Sequence, residues 1–258
     1  EQQPWGGRNK LVGQASEVAK FTLNAERIRT KSFEAGAYRN VQPDALGYAF
    51  GVPNFSDSRY LIDSDVPQFS KTKQWSTYLR SEFELDWAQI LSITSYRDLK
   101  EDGSGDVDGT SAPLLVSNSP SQFARQFSQE IQLLSSPASN VKWIVGAFYF
   151  QEQSGYKDQN TISFGGVFPA PIVQLDNRTK IRTRSIAVFG QATIPLDAVT
   201  EGMNLTLGGR YTIDRKKYAA SSLFFDAAGD QVGPETFYPR DQKSWKKFTP
   251  KITLDYKT

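Results

Sequence analysis

Apolar and polar residues alternate along most of this chain, and most cleanly from Ser185 to Lys216. Ile186, Val188, Gly190, Ala192 and Ile194 share one parity, and Ala187, Phe189, Gln191 and Thr193 share the other. After a turn at Pro195–Met203, Leu205, Leu207, Gly209, Tyr211 and Ile213 oppose Thr206, Gly208, Arg210, Thr212 and Asp214. Side chains on a strand alternate faces with period two, so this stretch predicts a hairpin with one apolar and one wet face. Thr72–Leu85 repeats the pattern, with Trp75, Thr77, Leu79, Ser81, Phe83 and Leu85 against Ser76, Tyr78, Arg80, Glu82 and Glu84. Phe21–Lys31, Ala88–Lys100, Gln122–Leu134 and Ser244–Tyr256 read as further strands, and Leu11–Ser16 as a short one. Val141–Glu152 (VKWIVGAFYFQE) is also a strand, but both its parities are apolar and its inward face cannot be assigned. Glu1–Asn9, with Pro4, Gly6 and Gly7, reads as loop.

The connections fall into two kinds. Turns near Ala19, at Asp86-Trp87, at Ser135–Asn140 and at Pro195–Met203 are short. Those at Glu34–Lys71, Glu101–Ser121, Ser154–Asp176 and Ala219–Lys243 are long. Short and long alternate, which puts all short turns at one end of the sheet and all long loops at the other. Soluble domains rarely carry several such loops, whereas outer-membrane barrels have short periplasmic turns and long extracellular loops. No helical period is long enough for crossovers, so the sheet is antiparallel. Trp75 and Trp87 share a parity and are read as the two ends of one strand. At about 3.3 Å rise and about 45° tilt they stand roughly 28 Å apart along a membrane normal, close to the spacing of a barrel's aromatic girdles.

Composition sharpens this. Of 258 residues only 38% are hydrophobic, yet 13% are aromatic. No run of about 18 apolar residues exists, which excludes a membrane-spanning helix but not a strand wall. A net charge of +2 gives no reason to expect nucleic acid. With no Cys and no His there is no disulfide framework, no thiol chemistry and no imidazole base or ligand. No catalytic residue, metal site or cofactor is expected, and the chain reads as a non-enzyme. The segment DGSGDVDG (Asp102–Gly109) is read as a solvated loop. It lacks the Gly and the closing Glu of an EF-hand. Arg178, Lys180, Arg182 and Arg184 put cations on one parity just beyond the apolar stretch, where anionic lipopolysaccharide, an anionic ligand or water could meet them.

Several strings carry a resemblance: SITSYR (Ser92–Arg97), FSQEIQLLS (Phe127–Ser135), WIVGAFYFQE (Trp143–Glu152), VFGQATIPL (Val188–Leu196), LTLGGRYTIDRK (Leu205–Lys216) and FTPKITLDY (Phe248–Tyr256). In this order and spacing they resemble the barrel of TonB-dependent outer-membrane receptors, over about Thr72–Thr258. The resemblance implies a barrel plugged by an N-terminal domain and importing iron–siderophores, vitamin B12 or carbohydrates with energy from an inner-membrane complex. No plug or energy-coupling box is recognisable here, so the chain reads as a piece from the middle of such a receptor.

The expected fold is therefore all-β: an antiparallel, up-and-down transmembrane β-barrel, partial, with about nine strands of a larger barrel across 1–258. The expected partners are outer-membrane lipid, the receptor's own plug domain and remaining strands, the TonB complex, and an iron–siderophore or other small solute. The expected location is the outer membrane of a Gram-negative bacterium. Loop aromatics Tyr48, Phe50, Phe55, Tyr60, Phe164, Phe168, Phe224, Phe225 and Tyr238 are the candidate ligand contacts. Arg80, Glu82, Glu84, Glu130, Arg210, Lys251 and Asp255 are expected to face the lumen. The competing reading is a soluble β-sandwich that binds carbohydrate, which would bury the same apolar residues between two sheets.

Overall fold

The apolar–polar alternation is realised as one antiparallel sheet. The computed structural model describes residues 2–33, 64, 66–106, 115–163 and 169–256. Its strands are β1 (Gln2–Ser16), β2 (Ala19–Ser32), β3 (Phe69–Glu84), β4 (Ala88–Asp106), β5 (Leu115–Ser135), β6 (Lys142–Ser163), β7 (Gln174–Pro195), β8 (Met203–Phe225), β9 (Thr236–Phe237) and β10 (Asp241–Tyr256). They pair in chain order, β1-β2-β3-β4-β5-β6-β7-β8-β10, and the two-residue β9 joins β8 above β10. Each long strand is thus bonded to its sequence neighbour, which is an up-and-down meander. Among the described residues there is no second sheet and no helix.

The register assigns every position to a face. Cross-strand partners share a face, so the partnerships Leu23↔Leu79, Ile131↔Ala147, Val188↔Tyr211 and Leu207↔Ile252 trace one apolar surface from β2 to β10. This surface is bare: Ile131 is 52%, Val188 56% and Ile252 75% exposed. The opposite face is hidden without being covered by another layer, with Ala187 at 1% and Thr206 at 6%. In a single sheet that contrast arises from curvature, because side chains converge on the concave face and splay on the convex one. The polar face is therefore concave and the apolar face convex. A sandwich is ruled out on the same grounds, since its apolar face would be the covered one.

Aromatic residues mark the edges of the apolar band. At the long-loop side Trp75 packs on Tyr96 (centroids 5.0 Å apart) and Phe127 on Tyr149 (6.2 Å). At the short-turn side Trp87 packs on Trp143 (6.5 Å). The expectation that Trp75 and Trp87 end one strand is corrected here. β3 stops at Glu84, and Trp87 stands in the turn to β4, held by the Leu85 N–H donating to the Ala88 carbonyl. Polar interruptions of the band satisfy one another. The Gln129 amide donates to Ser92 Oγ (2.9 Å) and accepts from Thr94 Oγ1 (2.6 Å), so no hydrogen-bonding group of this trio faces outward alone.

Other departures share one cause. Gln2–Asn9 is strand rather than loop, because a full ladder to β2 carries Pro4, Gly6 and Gly7. Glu101–Asp106, Leu115–Ser121, Ser154–Ser163, Gln174–Asp176 and Ala219–Phe225 are also strand where loop was expected. Asp102 and Asp106 of the acidic segment accordingly sit in β4, and Asp108 lies outside the described residues. These extensions rise beyond the aromatic edge, where neither face is continuously apolar and the period-two signal disappears. Strands of up to 23 residues are about twice what a bilayer crossing needs.

Candidate functional site

The concave face gathers the charged and amide side chains into ladders. Arg80, Glu82 and Glu84 of β3, Glu130 of β5, Arg210 of β8, and Lys251 and Asp255 of β10 all fall on it by register. Arg80 Nη2 bonds Glu82 Oε2 at 2.9 Å, two residues along the same strand. Across strands, Gln126 donates to Glu152 at 2.6 Å, with Ser154 donating to the same carboxylate at 3.1 Å. Gln89 bonds Glu84, Gln132 bonds Glu130, and Lys251 Nζ donates to Gln191 at 2.9 Å. Arg8 and Glu26 pair at 2.9 Å on β1 and β2. These groups are spaced as a wetted lining rather than converging on a reaction centre. Among the described residues there is also no cluster of acidic groups able to hold a metal ion.

Two apolar side chains shape this face from within. The Arg210 guanidinium lies 5.5 Å from the Phe148 ring and 5.6 Å from the Phe189 ring, a cation–π arrangement that fixes its head over the wall. Gly146 makes room for it: a Cβ there would stand 2.5 Å from Phe189 Cζ and 2.8 Å from the Ile131 carbonyl oxygen. This resolves the ambiguity of VKWIVGAFYFQE. Trp143, Val145, Ala147 and Tyr149 belong to the convex face, while Ile144, Phe148 and Phe150 belong to the concave one.

At the long-loop end, β8, β9 and the segment from β9 to β10 form the described part of the candidate ligand region. Ser222, 0% exposed, donates to Asn177 Oδ1 at 2.8 Å and lies 3.1 Å from the Tyr238 hydroxyl. Tyr238 is thereby anchored, yet its side chain stays open, and it lines a cavity with Phe123, Tyr156, Arg178, Phe237 and Arg240. Phe224 and Phe225 are half-buried within the β8 ladder and are less available than Tyr238. Phe237, 70% exposed beside Tyr238, and Arg240 were not anticipated, although the string FYPR (Phe237–Arg240) places them in sequence next to a candidate. Tyr48, Phe50, Phe55, Tyr60, Phe164 and Phe168 lie outside the described residues.

Comparison with known proteins follows the fold. The model of the family described as TonB dependent receptor-like, beta-barrel matches residues 18–258. Among solved structures, the ferric yersiniabactin uptake receptor FyuA of Yersinia pestis is similar at a TM-score of 0.69 and 13% identity, over 99% of this chain and 35% of that one. The ferric-catecholate import receptor Fiu of E. coli K12 is similar at 0.63 and 13%, over 99% and 41%. The ferric preacinetobactin receptor BauA of Acinetobacter baumannii is similar at 0.54 and 15%, over 98% and 37%. The chain thus spans less than half the length of each of these relatives. No curated protein sequence matches it.

Proposed function

Because this chain belongs to the TonB dependent receptor-like, beta-barrel family, we propose that it is a stretch of barrel wall in an outer-membrane active transporter of a Gram-negative bacterium. The observation that carries this reading is the two-faced single sheet, convex and apolar outside, concave and polar inside. A bare apolar surface bounded by aromatic pairs suits hydrocarbon, and the ladders on the other side suit a hydrated lumen. β1 and β10 each pair on one side only among the described residues, and open edges are intolerable in lipid. Further strands of the complete receptor pair with them.

On this reading Arg80, Glu82, Glu84, Glu130, Arg210, Lys251 and Asp255 line the lumen and meet the receptor's plug domain. Arg80 Nε and Asn24 Nδ2 are hidden on that face without hydrogen-bond partners among the described residues, and acceptors from the plug would suit these donors. The transported solute is a ferric siderophore, a reading supported by the similar receptors named above, which are described as receptors for ferric yersiniabactin, ferric catecholate and ferric preacinetobactin. Energy comes from the TonB complex acting on the plug. The aromatics of the long loops, with Tyr238 best placed, make the first contacts with the solute. The chain does no covalent chemistry.

Uptake of a radiolabelled ferric siderophore under iron limitation, with and without the gene for the complete receptor, tests this. The expected result is uptake that needs both the gene and a proton gradient. Gene-dependent uptake that survives a protonophore would indicate passive diffusion and contradict the active-transport reading.

A further inference from the structure

The cations of the concave face are not spread evenly over it. On β1–β5 they stand among carboxylates: Arg8 bonds Glu26 and Arg80 bonds Glu82, each at 2.9 Å, and Lys20 stands opposite Glu82. On β10 the same face carries Lys243, Lys247 and Lys251, each roughly 13 Å along the strand from the next. β8 adds Lys216 directly opposite Lys243, and Arg210 opposite Thr249, midway between Lys247 and Lys251. None of these five cations is in an ion pair among the described residues. Lys251 donates to the neutral Gln191, and Arg210 to Thr212. Asp241 and Asp255 close the two ends of β10 on this face. Between those ends the two strands place one carboxylate there, Asp214, opposite Trp245.

The file runs along the crossing segment itself. Phe248, Ile252 and Leu254 fill the convex face of the same stretch of β10, so the cations stand behind the apolar band. Like charges directly opposite each other weaken a sheet, so Lys216 facing Lys243 does not serve assembly. A spaced file of cations does offer successive weak sites to an anion. Lys is a compact point charge on a flexible stem, without the bidentate grip of Arg. Movement through a pore needs binding strong enough to enter and weak enough to leave. The one guanidinium of the file, Arg210, is held against Phe148 and Phe189, and Trp245 stands 46% exposed between Lys243 and Lys247. These rings give aryl groups a surface to pass over. We propose that Lys216, Lys243, Lys247, Arg210 and Lys251 form a transit path for an anionic, aryl-bearing ferric chelate, which moves from cation to cation between wall and plug after it leaves the long loops. A plug carboxylate is the competing anion, but a fixed partner calls for one matched cation rather than a series repeated down a strand. The proposal rests on the reading of this chain as the wall of a ferric siderophore transporter.

The test uses the complete receptor as the sole siderophore receptor of iron-starved cells, with two radiolabelled probes, a triply anionic ferric tris-catecholate and an uncharged ferric tris-hydroxamate. Surface binding is measured in cells treated with a protonophore, and uptake in energised cells. The unmodified receptor should take up the tris-catecholate in preference to the tris-hydroxamate. K247Q/K251Q should bind the tris-catecholate at the surface with unchanged affinity and take it up about tenfold more slowly. K247R/K251R should keep most of the uptake, and K10Q/K20Q, on the other half of the same face, should stay within about twofold of the unmodified receptor. Equal uptake by K247Q/K251Q, an equal loss in K10Q/K20Q, or preference for the uncharged chelate would overturn the path. Entry of a large hydrophilic antibiotic into cells carrying K247Q/K251Q would show that these lysines hold the plug, and would overturn it as well. Should K247Q/K251Q fail to assemble, the single variants K247Q and K251Q and the preference of the unmodified receptor between the two chelates decide the matter. Uptake of neither chelate would overturn the siderophore reading and this path with it, an outcome distinct from uptake that ignores the lysines.

Discussion

Replacing Ile131 by arginine tests the assignment of faces through its energy. Ile131 is 52% exposed on the convex face of β5, four residues from Phe127 at the aromatic edge and four from the strand end at Ser135. Four residues at about 3.3 Å rise and about 40° tilt place it roughly 10 Å below that edge, near the middle of an apolar band about 25 Å tall. An arginine at the midplane of a barrel's lipid face costs about 2–4 kcal/mol. That is roughly thirtyfold to nearly a thousandfold in the folding equilibrium. The control is the next residue. Gln132 occupies the concave face, where its amide bonds Glu130. Gln132→Arg can pair with that carboxylate and should cost less than about 0.5 kcal/mol. The assay is urea titration of the complete receptor in lipid vesicles, with folding read from heat-modifiable gel mobility and free energies taken from the midpoints. If the two arginine variants lose equal stability, or Gln132→Arg loses more, the assignment of faces is wrong.

Other expectations follow from close packing and caps. Gly146→Ala should destabilise the barrel by about 1–3 kcal/mol, because its Cβ would meet Phe189, and Phe189→Leu in the same chain should recover part of the loss in the same titration. Gly155→Ala should lower the midpoint at least as far, since φ is +151° and the added Cβ would lie 1.8 Å from the Thr179 carbonyl oxygen. Ser222→Ala removes the donor to Asn177 and the contact with Tyr238, so limited proteolysis of the loop between β8 and β9 should accelerate several-fold while the barrel stays intact. Tyr238→Ala and Phe237→Ala should each weaken ferric siderophore binding by the complete receptor with unchanged gel mobility; unchanged affinity in both would remove the β9 segment from the ligand site.

What could be read from the chain, and what could not, divides at the aromatic edge. Within the apolar band, Leu205 to Ile213 and Phe21 to Ala25 have one apolar convex face and one polar concave face, so parity alone assigns them. VKWIVGAFYFQE defeats that reading because Phe148 and Phe150 are apolar on the concave side, where Phe148 and Phe189 hold Arg210. Above the edge both parities carry polar residues and glycine, so the strand from Glu101 to Asp106 carries no alternation and looks like loop. Only the hydrogen-bond ladder reveals it. The same limit hid the cations that stand opposite Arg182 and Arg184. Arg182 and Arg184 stand out by spacing, but Arg215 and Lys217 become their partners only once the β7–β8 register is known. Register is a property of two strands and cannot be found in either one.

On the proposed function, the convex face lies against lipid and the concave face against water. The natural chain contains no cysteine, so single cysteines can be placed without background from this segment. In the complete receptor, embedded in outer membranes, Leu207→Cys and Val188→Cys should react with a lipid-soluble maleimide and resist a charged, membrane-impermeant one added to both sides. Thr206→Cys and Gln191→Cys, which share the concave face, should show the reverse once the plug is removed. Labelling of Leu207→Cys and Val188→Cys by the charged reagent at the rate seen for Thr206→Cys would contradict the claim.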